Sequence, residues 1–159
     1  MTRSNDEIRG FLIQAGAERV LLPNATVAEV LSRVPVQAVE GTPHWMPGRI
    51  DWQGWQVPVF SMVDLGGLGH EPVTSSSKIV VLKTLTGSET TPYIGLMTQS
   101  FPRLISVPRD GLLADASEEP LPQGVQMRVL LGDESALLPD LEAIETLVCE
   151  AAAQAISAV

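Results

Sequence analysis

Residues 49–60 read Arg-Ile-Asp-Trp-Gln-Gly-Trp-Gln-Val-Pro-Val-Phe, two strand-like runs separated by the pair Gln53-Gly54. Glycine in a two-residue turn readily takes the positive φ that tight hairpins require. The stretch therefore predicts a β-hairpin with strands at Arg49–Trp52 and Trp55–Met62. Pro58 has no amide donor, so we expect its strand to lie at a sheet edge or to carry a bulge.

Short apolar runs broken by Gly, Pro, Ser or Asn continue through the rest of the chain, which is typical of strands rather than helices. A second hairpin is predicted at Val125–Leu131 and Ser135–Leu138, because Gly132-Asp133 is another turn pair. The sequence thus predicts a mainly β protein. The other predicted strands are Gly10–Ala15, Glu18–Pro23, Val27–Ser32, Lys78–Leu85, Tyr93–Thr98 and Arg103–Val107.

One helix is predicted, over residues 140–158, where apolar residues recur on one face and Asp140 can cap the first turn. Residues 66–77 are rich in Gly, Pro and Ser, which favours a flexible connection. We therefore predict one domain over 8–158, with subdomains at about 10–65 and 78–138 joined by that linker.

The composition excludes several classes of function. The chain has 159 residues, and its 19 acidic residues against 10 basic ones give a formal net charge of −9. Nucleic acids and anionic lipids are bound largely through neutralisation of their phosphates, so both are disfavoured as partners. The single cysteine, Cys149, cannot form an internal disulfide and is interpreted as a packing residue. Residues 1–10 lack the apolar core of a signal peptide, so a cytoplasmic location is expected.

No pattern of catalytic or metal-binding residues stands out. His44 and His70 lie outside any zinc-ligand spacing, and ordinary loop histidines are favoured over a zinc site with Asp51 or Asp64. The glycines of 66–69 have no following lysine to suggest a phosphate loop, and Glu118-Glu119 is interpreted as a solvated pair. We predict no enzyme activity, cofactor or metal, although an active site assembled only in space stays an alternative.

Large side chains cluster around the first hairpin, and all three tryptophans of the chain lie there. Tryptophan is enriched at interface hot spots and methionine at adaptable binding surfaces. The alternative is that they form the core of a small barrel, which is favoured for Trp52 and Phe60. Trp55 follows the turn directly and is the residue most expected to be exposed. The cluster comprises Trp45, Met46, Trp52, Trp55 and Phe60.

With these residues in view, the chain resembles the CheW-like domains of bacterial chemosensory systems. The resemblance begins with Val27-Ala28-Glu29-Val30-Leu31, similar to a family strand ending in Glu-Val or Glu-Ile. It continues through 41–54, similar to the family's Pro-rich approach and its Asn-Leu-Arg-Gly turn. It ends at Val57-Pro58-Val59-Phe60, which looks like the family's Val-Pro-Val-Val.

The resemblance implies two five-stranded SH3-like β-barrels with a C-terminal α-helix. It also implies an adaptor that bridges a CheA-type histidine kinase and the cytoplasmic tip of a methyl-accepting chemoreceptor. The receptor-facing positions carry over to Val27, Glu29, Gly48 and Phe101. Trp55 and Gln53 join them as predicted partner-binding residues, with specificity expected from Glu29 and Gln53.

The chain departs from the family's pattern at three places. Gln53 stands where the family has the turn arginine, so any carboxylate contact there loses its charge assistance. Ser61-Met62 replaces the family's Asp-Leu, and Thr98-Gln99 replaces its Val-Asp. The chain looks most like the auxiliary CheW-like proteins of the type IV pilus (twitching) chemosensory system, the ChpC type. A scaffold that self-associates weakly through open sheet edges is a further alternative.

Overall fold

Strands dominate the part of the chain that the structure describes. The computed structural model describes residues 7–85, 91–108, 112–114, 120–131 and 134–157, so the pair Glu118-Glu119, the turn Gly132-Asp133 and residue 158 lie outside it. The strands are β1 (Glu7–Ala15), β2 (Glu18–Pro23), β3 (Val27–Ser32), β4 (Gly48–Trp52), β5 (Trp55–Ser61), β6 (Lys78–Lys83), β7 (Tyr93–Thr98), β8 (Arg103–Pro108), β9 (Leu112–Ala114), β10 (Val125–Leu131) and β11 (Glu134–Pro139). The helices are α1 (Met62–Leu65) and α2 (Leu141–Ser157), with a 3-10 turn at Asn24–Thr26.

The strands pair into two sheets. One has six strands in the order β8-β1-β2-β11-β10-β9, and the other has five in the order β3-β6-β7-β5-β4. The mainly β class with a C-terminal helix is confirmed, and the six-stranded sheet gains the three-residue strand β9, which was not predicted. Within the described residues neither sheet shows a hydrogen-bonded ladder that closes it into a barrel.

The division between the sheets does not coincide with the boundary predicted at 66–77. The six-stranded sheet pairs the start of the chain with its end, while the five-stranded sheet takes all its strands from 27–98. Strand β5 pairs in parallel with β7, which lies beyond the 66–77 segment. The halves 10–65 and 78–138 are therefore not the two sheets. Apolar periodicity shows where strands are, but it carries no information about which distant strand each one pairs with.

The hairpin at the centre of the sequence argument forms as predicted. Gln53 has a φ of 49° and Gly54 a φ of 83°, the two positive values of a type I′ turn. The edge position expected for Pro58 is wrong, because β5 lies between β7 and β4. Counting outward from the turn, Pro58 and Arg49 form a pair that exchanges no backbone hydrogen bonds, and pairing with β7 begins only at Val59. The missing amide donor is therefore tolerated inside the sheet.

The largest core cluster joins both sheets and the C-terminal helix. Ile13 and Leu22 of the six-stranded sheet meet Phe60 and Val80 of the five-stranded sheet, and Ile144 of α2 covers them. Smaller clusters lie on the opposite face of each sheet, around Ile50 and Val57 in one and around Leu12 and Val129 in the other. The two sheets consequently share one apolar interior.

Helix α2 begins as the sequence predicts. The Asp140 side chain accepts a hydrogen bond from the Ala143 backbone N–H at 3.1 Å, and Ile144 and Val148 are fully buried. Burial raises the pKa of the Cys149 thiol, and the nearby charge of Glu145 raises it further. Together they outweigh a hydrogen bond with Thr91, which lowers the pKa. A raised pKa disfavours the reactive thiolate. Across the described ranges no helix is long and apolar enough to cross a membrane.

Candidate functional site

An aromatic face lies at the turn end of the β4–β5 hairpin. Trp55 is 41% exposed, and its ring stands edge-on to Tyr93, with ring centroids 6.3 Å apart. Tyr93 also meets Trp52 edge-on, at 4.8 Å between centroids. Edge-to-face pairs of this kind add to the stability of an aromatic cluster and fix its ring orientations. We call Trp52, Trp55 and Tyr93 the aromatic triad.

Glu29 holds the buried end of this triad. Its carboxylate accepts a hydrogen bond from Trp52 Nε1–H at 2.9 Å. Glu29 lies on β3 and Trp52 on β4, the two outer strands of the five-stranded sheet. The contact therefore spans the opposite edges of that sheet and shows how strongly the sheet curls. Val27, two residues earlier, is half-buried and packs against the main core.

Gly48 has a packing role that sequence reasoning did not identify. It is buried, and a Cβ atom placed on it would overlap the backbone carbonyl of Gln37. Gln37 and Arg49 form a backbone bridge at this point, with N···O distances of 2.8 and 2.9 Å. Only glycine leaves room for that bridge. By contrast, Gln53 is exposed at the tip of the turn.

A second candidate surface is an open groove of about 990 Å³ beside the five-stranded sheet. Arg33 in its wall has a φ of 59°, a left-handed value that is uncommon away from glycine and marks a constrained site. Phe101 stands at its rim, 66% exposed, with Lys78 Nζ 4.6 Å above the ring. The groove is lined by Ser32–Val36, Val73–Ser76, Lys78 and Phe101.

Phe101 lies between the two sheets. It also borders a smaller depression formed by Leu12, Arg19 and Glu134, all from the six-stranded sheet. A side chain that reaches both depressions connects them into one surface. The groove beside the five-stranded sheet and the depression on the six-stranded sheet therefore adjoin at an exposed aromatic residue.

A polar cluster ties the 66–77 segment to α1. Asp64 accepts hydrogen bonds from the His70 ring at 2.8 Å and from the Glu71 backbone N–H at 3.1 Å. The Ser61 hydroxyl donates to Glu71 at 2.9 Å, and Ser77 donates to Gln99 at 3.1 Å. The segment predicted as a flexible linker is therefore anchored at several points, and its residues 73–76 form one wall of the groove.

The two buried carboxylates of this cluster differ in acidity. Burial raises the pKa of Asp64, but hydrogen bonds from His70 and the Glu71 backbone outweigh it and hold that pKa below its ordinary value. Burial also raises the pKa of Glu71, and hydrogen bonds from Ser61 and Gln99 do not compensate. Shifted acids can mark catalytic centres. Neither carboxylate lines the open groove, however.

The zinc alternative finds no support in the arrangement of the histidines. His70 contacts the Asp64 carboxylate, but His44 reaches only the Asp64 backbone carbonyl, at 3.3 Å. Asp51 instead accepts from Gln37. In 7–85 and the other described ranges, no group of three His, Cys, Asp or Glu residues is placed to hold a metal ion.

The predicted site residues fall into three environments. Glu29 and Trp55 belong to the hairpin end, with Gln53 at the turn beside them; Phe101 belongs to the groove; Val27 and Gly48 are packing residues. Of the large residues clustered in sequence, Trp55 alone is exposed, whereas Met46 and Phe60 are buried. The barrel-core alternative therefore applies to most of that cluster. Sequence reasoning missed Tyr93, Arg33 and Lys78; the only available signal was that Tyr93 is the single tyrosine of the chain.

Comparison with known proteins agrees with this architecture. A family model for the CheW-like domain matches residues 9–147, and the chain therefore belongs to the CheW-like domain family. Among solved structures, the scaffolding protein TtCheW from Thermoanaerobacter tengcongensis has a similar fold, with a TM-score of 0.70 over 83% of this chain and 88% of that one. Its sequence is 18% identical, so the likeness concerns the fold alone. A search of the curated proteins found no match.

Proposed function

We propose that this protein is a non-enzymatic adaptor that holds a CheA-type histidine kinase and the cytoplasmic tip of a chemoreceptor together. Membership of the CheW-like family supports a chemotaxis scaffold role. The observation that carries the proposal is the pair of separate exposed surfaces, one at Trp55 and one at Phe101. An adaptor needs two docking surfaces that can be occupied together, and signalling contacts need only on the order of 1,000 Å² of buried area.

The hairpin end is proposed to dock the regulatory domain of the kinase. Trp55 offers a large, partly exposed apolar ring beside polar Gln53, and tryptophan is enriched in binding hot spots. Its edge contact with Tyr93 reduces the number of orientations that binding must freeze out. Trp55 therefore needs little reorganisation to bury its exposed ring.

The groove is proposed to take the cytoplasmic hairpin tip of the receptor. Val34, Val36 and Val73 supply apolar wall, and Arg33 and Lys78 supply positive charge in a protein whose net charge is −9. An amphipathic helix with acidic residues beside its apolar face would match this lining. Phe101 would be the ring that such a helix buries.

The test uses single alanine substitutions and two purified probes, the kinase regulatory domain and a receptor-tip hairpin. Trp55→Ala should weaken kinase-domain binding by about thirty-fold, and Phe101→Ala should weaken receptor binding similarly, because each removes a large ring from an interface. Phe101 is largely exposed, so Phe101→Ala should change the thermal midpoint little, whereas Trp55→Ala should lower it modestly because the edge contact with Tyr93 is lost. Leu121→Ala, which removes an exposed leucine elsewhere, is the control. Binding that survives both ring deletions would contradict the site assignment.

We further propose that the adaptor serves in the cytoplasm, in a type IV pilus chemosensory system. This rests on the departures from the family pattern at Gln53, Ser61-Met62 and Thr98-Gln99. A pull-down from the native cytoplasm with identification of the partners tests it. Recovery of flagellar rather than pilus receptors would reject the pilus assignment and retain the adaptor function.

Self-assembly is the second candidate function. Strands β8 and β9 are the outer strands of the six-stranded sheet, and their residues Leu104 and Leu113 are each 58% exposed. Outer strands with exposed apolar side chains can pair with other copies. Light scattering over a range of concentrations would reveal a mass that rises with concentration if this candidate is correct.

A further inference from the structure

Glu29 is hydrogen-bonded to Trp52 across the five-stranded sheet. One carboxylate oxygen accepts the indole N–H at 2.9 Å, and the residue is half-buried. A hydrogen bond with an ionised acceptor is stronger than one between neutral groups, and it has a strong directional preference. The bond therefore fixes both the position of the Trp52 ring and the distance between β3 and β4.

Ring contacts link the orientation of Trp52 to that of Tyr93 and Trp55. Trp52 meets Tyr93 at 4.8 Å with an angle of 74° between the rings, and Tyr93 meets Trp55 at 6.3 Å with an angle of 61°. Trp52 and Trp55 also face each other as the pair that closes the hairpin. A change in the rotamer of Trp52 would remove the edge that Tyr93 packs against, and Tyr93 in turn supports Trp55.

We propose that Glu29 is a positioning residue for the binding surface: by fixing Trp52 across the curled sheet, it holds Tyr93 and presents the exposed ring of Trp55 in one orientation. This inference rests on the proposed adaptor function for its effect on binding. It replaces the sequence-based interpretation of Glu29 as a direct receptor contact. Glu29→Lys should therefore lower the thermal midpoint, because it leaves the indole N–H of Trp52 without its acceptor.

The first test uses the free protein. The three tryptophans each give one indole N–H resonance in a spectrum of isotope-labelled protein. Glu29→Ala should shift the resonances of Trp52 and Trp55, whereas Trp45, which packs against the main core, should stay in place. Glu29→Gln retains an oxygen acceptor and should leave the Trp55 resonance close to its original position. An unmoved Trp55 resonance in Glu29→Ala would overturn the proposal.

The second test is a double-mutant cycle with the kinase regulatory domain as the probe. Glu29→Ala and Trp52→Phe, which keeps a ring but removes the N–H donor, should each raise Kd by about ten-fold, and the double variant should raise it no further than either single change. Glu29→Gln should bind within about two-fold of the original protein. Independent, multiplying losses would show that Glu29 touches the partner and would overturn the proposal.

The two tests separate this inference from the adaptor function. If the original protein binds neither the kinase domain nor the receptor hairpin, the proposed function fails, while the indole resonances still decide whether Glu29 positions Trp55. If binding is present and the resonances do not move, the positioning role fails alone. Thermal unfolding of every variant identifies any that lose binding simply because they do not fold.

Discussion

Gly48 and Gly54 lie in the same hairpin, yet they are glycine for different reasons. Gly48 is buried beneath the Gln37 carbonyl, whereas a Cβ atom at Gly54 would meet nothing within 4 Å. Gly54 is required only by its φ of 83°, which strains residues that have a side chain. Glycine is thus required at position 48 by a close backbone approach and at position 54 by the geometry of the turn.

This difference predicts unequal costs. Gly48→Ala should lower the free energy of unfolding by about 2 kcal/mol or more, because the added methyl group must displace the backbone bridge between Gln37 and Arg49. Gly54→Ala should lower it by only about 1 kcal/mol, the cost of a left-handed backbone with a side chain. Urea denaturation measures both. Equal losses would mean that the overlap at Gly48 is relieved without cost.

At the scale of elements, the 66–77 segment behaves as a strap between α1 and the groove. The Asp64 carboxylate accepts hydrogen bonds from the His70 ring and from the Glu71 backbone N–H. The Glu71 carboxylate accepts one from the Ser61 hydroxyl. The pKa of Asp64 is lowered and that of Glu71 is raised. The two carboxylates should therefore give the stability of the strap opposite dependences on pH.

The stability that Asp64 contributes is present above its ordinary pKa of 3.8. It is lost as the pH falls through the lowered pKa that Asp64 has in the folded protein. The stability that Glu71 contributes is complete below its ordinary pKa of 4.5. It is lost as the pH rises through the raised pKa that Glu71 has in the folded protein. Glu71→Gln should consequently raise the thermal midpoint at pH 7, and the gain should vanish toward pH 4. Asp64→Asn, the matched change, should cost about 1–2 kcal/mol at pH 7. A Glu71→Gln variant that is less stable at pH 7 would contradict this account.

At the scale of the whole molecule, the two sheets are interleaved along the chain. Residues 27–98 form the five-stranded sheet and are inserted between strands of the six-stranded sheet. The main core takes side chains from both sheets and from α2. Neither sheet can lose its packing without exposing the interior of the other, so we expect the protein to unfold as one cooperative unit.

Leu137→Ala tests that expectation, because it weakens one sheet while the tryptophans report on the other. Leu137 is fully buried in β11, in the six-stranded sheet, whereas all three tryptophans lie within 45–55. Removing its side chain should cost about 2–5 kcal/mol, and tryptophan fluorescence and far-ultraviolet circular dichroism should report the same shifted transition. Leu121→Ala at an exposed position should change the free energy of unfolding by less than about 0.5 kcal/mol. Two separate transitions would show that the sheets unfold independently.

The sequence by itself determined the local structure: the hairpin about Gln53-Gly54, the capped C-terminal helix, most strand positions and the family. These depend on φ preferences, capping and apolar periodicity, which act over a few neighbouring residues. Only the tertiary structure decided that β5 is an inner strand and that each sheet takes strands from both sides of the 66–77 segment. It also decided that Glu29 accepts a hydrogen bond from Trp52 rather than facing solvent. Those outcomes depend on which distant segments meet, and partners 23 residues apart, such as Glu29 and Trp52, leave no periodic signal in the chain.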